Sequence, residues 1–307
     1  MKLVDDDCAL TECLDALRRD FEANPKAGIA CAFKNSGVGV GLPDVGRCRL
    51  VVRDGKAHIY SSAACLGQGM GTVEIQMVCQ TAGISAGSCV YHTPDTDHSP
   101  DSGMSIASRH TLFTGEAVCI ATRQMKERLD AAGALTDLEG EEFFGVYDGV
   151  TDPIGTPKEN PKSHISYSYS ALMAILDDNG KIAKFISAND VGHAVNPKSI
   201  EGQIEGGITM AMGFALTEEL KVEQGLVKTR YGTLGLLRAD QAPDIEVRII
   251  EKKVEREAHG AKGCGEISTI PIPPALQLAY YNLTGEFQTA LPLKSPYSRK
   301  DFKEELL

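Results

Sequence analysis

The sequence lacks the features that mark a nucleic-acid-binding or membrane-spanning protein. Its 42 acidic residues outnumber 31 basic ones, which gives a net charge of −11 over 307 residues, and basic residues never occur four in a row. Binding to nucleic-acid phosphates requires a basic surface, so this composition argues against general nucleic-acid affinity. The charge-free stretch 267–285 is about long enough to cross a bilayer, but it contains three prolines and predicts a loop leading into a helix.

Cysteine pairs and targeting signals are also missing. The nine cysteines are an odd number, and none has the C-x-x-C spacing of zinc, thioredoxin-type or most iron–sulfur sites, which predicts buried reduced thiols. The N-terminal run 1–7 is acidic and has no apolar core of a signal peptide, so we expect a cytoplasmic protein without membrane or nucleic-acid partners. With 42% hydrophobic and 24% charged residues, the chain is globular and of about two-domain length.

Local patterns predict an α+β protein. Helices are predicted at 8–21, 72–81, 115–132, 199–216 and 274–283, and strands at 49–53, 57–61, 90–93, 165–176, 184–189 and 244–250. Asp54-Gly55 between the first two strands is a strong hairpin signal. The segment 148–163 is rich in glycine and proline without periodicity, so we place a boundary there. We expect two sublobes, residues 1–155 and 156–307, each a small mixed β-sheet with packed helices.

A glycine-rich segment between a predicted strand and helix is a candidate anion site. Glycines in Gly67-Gln68-Gly69-Met70-Gly71 let backbone N–H groups approach an anion at a helix N-terminus. The dinucleotide-binding fingerprint requires glycine at position 72, which is Thr72, so a Rossmann site is disfavoured. A purely structural turn and another kind of anion-binding loop remain as alternatives. The segment 202–207 again sets a glutamine, Gln203, between glycines at a helix start.

Two further segments carry candidate site residues. Within seven positions, Ser105, Ser108, Arg109 and Thr111 combine hydroxyls with a guanidinium, which suits a ligand that has phosphate and polar ring atoms; helix capping or surface chemistry is the alternative. Glu266 directly follows the glycine-rich run 260–265, so we expect its carboxylate to be poorly solvated and suited to general-base chemistry. A capping or salt-bridged glutamate is the alternative.

Together, in this order, the segments resemble the molybdenum hydroxylases, the family of xanthine dehydrogenases and aldehyde oxidoreductases. The resemblance extends over residues 28–295. The matching segments are Leu66–Met70, Pro100–Gly103, Ala107–Thr111, His164–Tyr169, Asp190–Pro197, Gly202–Gly206 and Gly260–Glu266.

The resemblance implies a molybdopterin cofactor with molybdenum, in the cytosine dinucleotide form. The metal is then held by the pterin dithiolene, with no metal ligands from the protein. Glu266 matches the active-site glutamate and is the expected catalytic base. The implied activity is hydroxylation of an N-heterocycle such as xanthine, or of an aldehyde. The residues expected to bind the cofactor are Gly67, Gln68, Gly69, Ser105, Ser108, Arg109, Thr111 and Gln203.

Several parts of the family are not found in this sequence. These are an upstream molybdenum-binding segment, the four-cysteine iron–sulfur domains and a flavin domain. The resemblance therefore implies the C-terminal half of a molybdenum subunit, as a fragment, a cleavage product or a separate subunit. Its expected partners are the N-terminal half, iron–sulfur and flavin subunits or domains, and a small-molecule substrate. The alternatives are a non-catalytic cofactor-carrier or interaction module and a nucleotide-binding dehydrogenase.

Overall fold

Two four-stranded sheets, each with packed helices, make up the fold. The computed structural model describes residues 7–252 and 254–297; most of the acidic N-terminal run, and the end of the expected second sublobe, lie outside these ranges. The helices are α1 (Leu10–Ala23), α2 (Met70–Ala82), α3 (His110–Ala132), α4 (Pro197–Leu216) and α5 (Ile272–Thr284). The strands are β1 (Gly28–Ser36), β2 (Val45–Arg53), β3 (Lys56–Tyr60), β4 (Cys89–Tyr91), β5 (Glu142–Asp148), β6 (Ser166–Leu176), β7 (Ile182–Asp190), β8 (Val222–Glu223), β9 (Leu226–Val227) and β10 (Asp244–Ile250).

The first sheet has the strand order β4-β3-β2-β5. The predicted hairpin joins β2 to β3, and Asp54 and Gly55 both have positive φ, as a tight hairpin turn requires. Helices α2 and α3 cover one face of this sheet, and their buried side chains share a core with Leu50 and Ile59. Helix α3 lies very close to β5, because a Cβ on Gly145 would be 1.8 Å from the Ala117 carbonyl oxygen.

The second sheet has the order β1-β6-β7-β10 and is covered on both faces. Side chains that alternate along β6 point to opposite faces. Leu172 packs with helices α4 and α5 on one face, whereas Met173 packs with Leu17 of α1 on the other. The sheet is therefore buried between helices.

The α+β class and the elements predicted from the sequence are confirmed, with ends displaced by a few residues. Strands β1 and β5 and the two-residue strands β8 and β9 were not predicted. Because β1 pairs with β6, and α1 packs on β6, both α1 and β1 lie with the sheet of the C-terminal half. The division at residue 155 stays a prediction.

The nine cysteines are all free thiols. Cys13, Cys48, Cys89 and Cys119 are buried, as expected. The expectation is wrong for Cys31 and Cys65, which are exposed because they lie on an edge strand and in a surface loop.

Within the described ranges, no helix combines the length and the apolar character needed to cross a membrane.

Candidate functional site

A cleft of about 640 Å³ lies where loops of the first sheet's layer face loops of the second. The segments that line it come from 66–73, 105–111, 193–203 and 262–266, so residues far apart in sequence meet here. Gly69 does not line the cleft but immediately precedes α2. The predicted site residues that do line it are Gly67, Gln68, Ser105, Ser108, Arg109, Thr111, Gln203 and Glu266.

Three helices begin at this cleft. Their first residues Met70 (α2), His110 (α3) and Pro197 (α4) stand at or next to its wall. The first N–H groups of a helix have no partner within the helix, and the helix dipole places positive charge at that end. The cleft therefore favours a negatively charged ligand although the chain as a whole is acidic.

The loop before α2 is held in shape by its own glutamine. The Gln68 side chain accepts a hydrogen bond from the Leu66 backbone N–H (2.5 Å) and donates to the Ala64 carbonyl (2.9 Å). A Cβ on Gly67, which has φ +115°, would meet no atom within 4 Å, so the backbone there is open to an approaching group. The Gly67 N–H also lowers the pKa of the Cys65 thiol, which indicates that this loop stabilises negative charge.

A second loop at the cleft is strained. Ala107 and Ser108 have φ of +51° and +49°, a region that residues with a Cβ rarely adopt. A hydrogen bond from the Gly37 N–H to the Ala107 carbonyl (2.9 Å) holds the loop in this conformation. The loop also packs closely on Gly263, because a Cβ added at Gly263 would lie 1.9 Å from the Ser108 carbonyl oxygen. Such strain costs about 1–3 kcal/mol per residue and is concentrated at functional sites.

Glu266 lies at the mouth of the cleft and has two partners. The Ser108 hydroxyl donates to its Oε2 at 2.6 Å, and Lys34 Nζ lies 3.2 Å from the same oxygen. The expectation that Glu266 is poorly solvated is wrong for this chain, because 46% of its side chain is exposed. The ion pair of the alternative interpretation is therefore present, with Lys34 as its partner, and the role of Glu266 as a base stays a prediction.

Arg109 contacts protein groups with its guanidinium. The side chain is buried, donates to Asp44 Oδ1 (2.5 Å), Ser102 O (2.6 Å) and Met104 O (3.2 Å), and also bonds the Val45 carbonyl. These bonds fasten the 102–109 loop to the first sheet. The guanidinium is therefore engaged with protein groups, and cofactor binding by Arg109, which lines the cleft, stays a prediction.

Gln203 and Thr111 are the free polar side chains of the cleft. Among the described residues, neither the Gln203 amide nor the Thr111 hydroxyl has a hydrogen-bond partner, and both line the cleft. The amide can donate and accept, and the hydroxyl can do the same. Over the same described part of the chain, no group of three or more His, Cys, Asp and Glu side chains is placed to hold a metal ion.

The glycine-rich segment 260–266 is anchored by a buried ion pair. Lys262 Nζ lies 2.7 Å from Asp190 Oδ2 and also donates to the Asp7 carbonyl (2.7 Å). Burial raises the pKa of Asp190, while the Lys262 ammonium opposes that rise. Burial also raises the pKa of Cys264 to about 11, so this thiol stays protonated and unreactive at neutral pH. The pair fixes the segment that presents Glu266.

Reasoning from the sequence missed several residues that shape the site. Lys34 lies on β1, which was not predicted, so its approach to Glu266 had no signal. By contrast, Asn196-Pro197 is a helix-start signal that the sequence shows before the predicted helix 199–216, and Asn196 caps α4 by accepting from the Ser199 N–H (3.0 Å). Ser199 also donates to the Gln68 carbonyl (2.7 Å) and joins two cleft loops, a contact that only the folded chain brings about.

Comparisons with known proteins agree with this geometry. The sequence profile described as "Molybdopterin cofactor-binding domain" matches residues 12–146 and 136–243. The chain is 27% identical to a xanthine dehydrogenase molybdenum-binding subunit of Escherichia coli O157:H7, over 92% of this chain and 44% of the relative. It is 28% identical to the carbon monoxide dehydrogenase large chain of Afipia carboxidovorans, over 65% of this chain and 29% of that one.

A solved structure shares the fold. The aldehyde oxidoreductase of Desulfovibrio gigas superposes on this chain with a TM-score of 0.74. The two share 21% sequence identity over 94% of this chain and 35% of that one. The chain spans less than half the length of the relatives it matches.

Proposed function

The chain belongs to the molybdopterin cofactor-binding domain family, and from this membership we propose that its cleft holds the pterin and pyrophosphate of molybdopterin in the cytosine dinucleotide form. The observation that carries the proposal is the meeting of three helix N-termini and the open Gly67 backbone at one cleft of about 640 Å³. Helix N-termini bind phosphate groups through unpaired N–H groups, and cofactor sites have volumes of this order.

The donors at the cleft fit such a cofactor. The first turns of α2 and α3 offer backbone N–H groups for phosphate oxygens. Helix α4 contributes the positive end of its dipole, since it starts with Pro197 and Asn196 takes the Ser199 N–H. The Gln203 amide and the Thr111 hydroxyl are free to pair with polar ring atoms, which need both donors and acceptors. Gln68 contributes through the loop that it closes, and Ser105 contributes a hydroxyl that lines the cleft. The Ser108 oxygen can accept a hydrogen bond, since its proton is donated to Glu266. Arg109 acts by positioning this loop.

Glu266 is the proposed general base. Ser108 and Lys34 both contact Oε2, which leaves Oε1 as a proton acceptor among the groups that the structure describes. Two contacts to one oxygen also restrict the rotation of the carboxylate, so its acceptor direction is fixed before a substrate binds. Bound molybdopterin supplies a redox-active molybdenum centre. In the complete enzyme, the substrate is an N-heterocycle such as xanthine or an aldehyde.

Turnover requires a partner that covers the cleft. The rim carries exposed apolar side chains, Leu66 at 77% and Ile106 at 47%, and Glu266 is half exposed. Exposed apolar groups around a polar cleft are typical of an interaction site. The partner is the other half of a molybdenum subunit, with iron–sulfur and flavin parts taking the electrons. Without it, the chain is a folded cofactor-binding module that does not catalyse.

The direct test is to purify the protein natively and to measure molybdenum by metal analysis and pterin by fluorescence. We expect both when the chain is produced with its partner, and hydroxylation of xanthine or an aldehyde only in that assembly. Calorimetry with NAD should detect no binding. Tight NAD binding without pterin would contradict the proposal and favour a dehydrogenase. Turnover by the chain alone would contradict the requirement for a partner.

A further inference from the structure

A line of buried hydrogen bonds runs from the first sheet to the wall of the cleft. The Arg47 backbone N–H donates to Ser102 Oγ (2.9 Å), and Ser102 Oγ lies 2.8 Å from Thr114 Oγ1. Thr114 Oγ1 lies 3.1 Å from His110 Nδ1, and His110 Nε2 lies 2.7 Å from Ser105 Oγ. Ser102 and Thr114 are fully buried, His110 is 7% exposed, and Ser105 lines the cleft.

The backbone amide at its inner end sets the direction of the line. A backbone N–H can only donate, so Ser102 Oγ must accept from Arg47. The Ser102 proton is then donated to Thr114, and the Thr114 proton to His110 Nδ1. His110 consequently carries its proton on Nε2 and donates it to Ser105.

The opposite direction leaves a buried donor without an acceptor. If Thr114 donated to Ser102, the Ser102 oxygen would accept twice and its own proton would have no partner among the described groups. Ser102 has no exposed surface, and an unsatisfied buried polar group costs about 1–3 kcal/mol. That cost selects the first direction.

His110 stays neutral, as this direction requires. Burial, together with the adjacent Arg109 guanidinium, lowers the pKa of His110 to about 4. Its place as the first residue of α3, at the positive end of the helix dipole, also disfavours the charged ring. The charged group that acts on His110 is Arg109, which is itself paired with Asp44.

The Ser105 hydroxyl is left as the outer end of the line. Its oxygen is occupied by the His110 donor, and its own proton has only a weak partner within the protein, the Ala64 carbonyl at 3.4 Å. We propose that Ser102, Thr114 and His110 are positioning residues that hold the Ser105 hydroxyl as a directed donor to an oxyanion in the cleft. That the oxyanion is a phosphate of the cofactor rests on the proposed function.

Nitrogen-15 NMR of the full chain with labelled histidine tests the direction. His110 is assigned by loss of its signals in His110→Gln. We expect the Nε2–H tautomer in the wild type at pH 7. Thr114→Val removes the donor to Nδ1, so the nitrogen-15 resonance of the unprotonated Nδ1 should shift while Nε2 keeps its proton. Ser62→Ala is the matched control, because Ser62 accepts from the Ser102 backbone N–H (2.5 Å) but is outside the line.

Binding of inorganic pyrophosphate tests the role of the donor. Loss of a hydrogen bond to a charged group should weaken binding about tenfold in Ser105→Ala. The exposed Ser85→Ala should bind like the wild type. His110→Gln, which keeps an N–H near the Nε2 position, should bind better than His110→Phe, and thermal unfolding shows whether each variant is folded.

The outcomes separate this inference from the proposed function. An Nδ1–H tautomer in the wild type, or an Nδ1 resonance that is unchanged in Thr114→Val, overturns the directed line. Equal pyrophosphate binding by the wild type and Ser105→Ala overturns the donor role and leaves the proposed function standing. An Nε2–H tautomer in a wild type that does not bind pyrophosphate leaves the line standing and contradicts the phosphate-binding part of the proposed function.

Discussion

Ser108 and Glu266, which are 158 positions apart in the sequence, are joined by a hydrogen bond of 2.6 Å. Ser108 holds this position with φ of +49°, on a loop pressed against Gly263. The strained loop therefore presents a hydroxyl to the carboxylate, and the glycine-rich segment allows the backbones to come close enough. This contact joins the two halves of the cleft at the place where we assign the base.

Replacing Glu266 by glutamine tests its role as the base. Glutamine keeps the shape and can accept from Ser108, but it cannot take up a proton. In the complete enzyme we expect the turnover number to fall by about 10²–10⁴-fold, the usual contribution of a general base. Molybdenum and pterin content should not change. The exposed Glu142→Gln is the control, and a loss below about tenfold with intact cofactor would remove Glu266 from the mechanism.

Gly263→Ala should disrupt the contact between the two loops. The added Cβ would lie 1.9 Å from the Ser108 carbonyl oxygen, so backbone must move. We expect a loss of unfolding free energy of about 1–3 kcal/mol or more, measured in urea. Gly206→Ala is the control, because a Cβ in that helical position meets no atom within 4 Å, and it should raise stability by up to about 1 kcal/mol. Equal stabilities of the two variants would refute the close packing.

Arg109→Lys should lower stability even in the protein without cofactor. Lysine cannot donate to Asp44 and to the loop carbonyls together, and both ion-pair side chains are 2% exposed. Because unsatisfied buried groups cost about 1–3 kcal/mol each, we expect a loss of at least about 2 kcal/mol. Arg128→Lys, at an exposed pair with Glu141, should change stability by less than about 1 kcal/mol. Lost cofactor binding with unchanged stability would instead favour a direct cofactor contact.

The buried carboxyl group of Glu74 should make the stability of the protein fall as the pH rises. Burial raises its pKa to about 8, although the Ser61 hydroxyl donates to it and opposes the rise. Since the folded pKa lies above the ordinary value, the stability from the protonated form is complete below about pH 4.5 and is lost as the pH rises to about 8. Between these two pH values, the unfolding free energy of the wild type should fall by up to about 1.4 kcal/mol per pH unit relative to that of Glu74→Gln. The comparison uses urea unfolding from pH 5 to 9, with the exposed Glu127→Gln as control; parallel curves for wild type and Glu74→Gln would exclude this assignment.

The sequence predicts this fold where signals are local. Asp54-Gly55 indicates its hairpin without help from distant residues. Strand β1 was missed because its burial follows pairing with β6 and packing of α5, more than a hundred positions away. Strand β5 contains Gly145, a poor strand former that is required because α3 lies against it.

The candidate site, like the fold, can be predicted from the sequence only where the signals are local. Most of the ordered motifs contain cleft-lining residues, but Pro100–Gly103 and His164–Tyr169 do not line the cleft. The solvation of Glu266 and the partners of Arg109 depend on Lys34 and Asp44, which no motif connects to them. Sequence therefore indicates which residues meet, whereas folding decides which of them keep free hydrogen-bonding groups.

The molybdenum content of Gln203→Leu tests the central claim most directly. Gln203 lines the cleft on α4, and its amide has no partner among the described residues, so leucine should leave the fold intact and remove only a group available to the cofactor. With the same partner and the same thermal stability, we predict that wild type retains molybdenum and pterin after native purification and that Gln203→Leu loses most of both. Equal, full occupancy in the two proteins would contradict the assignment of this cleft to molybdopterin.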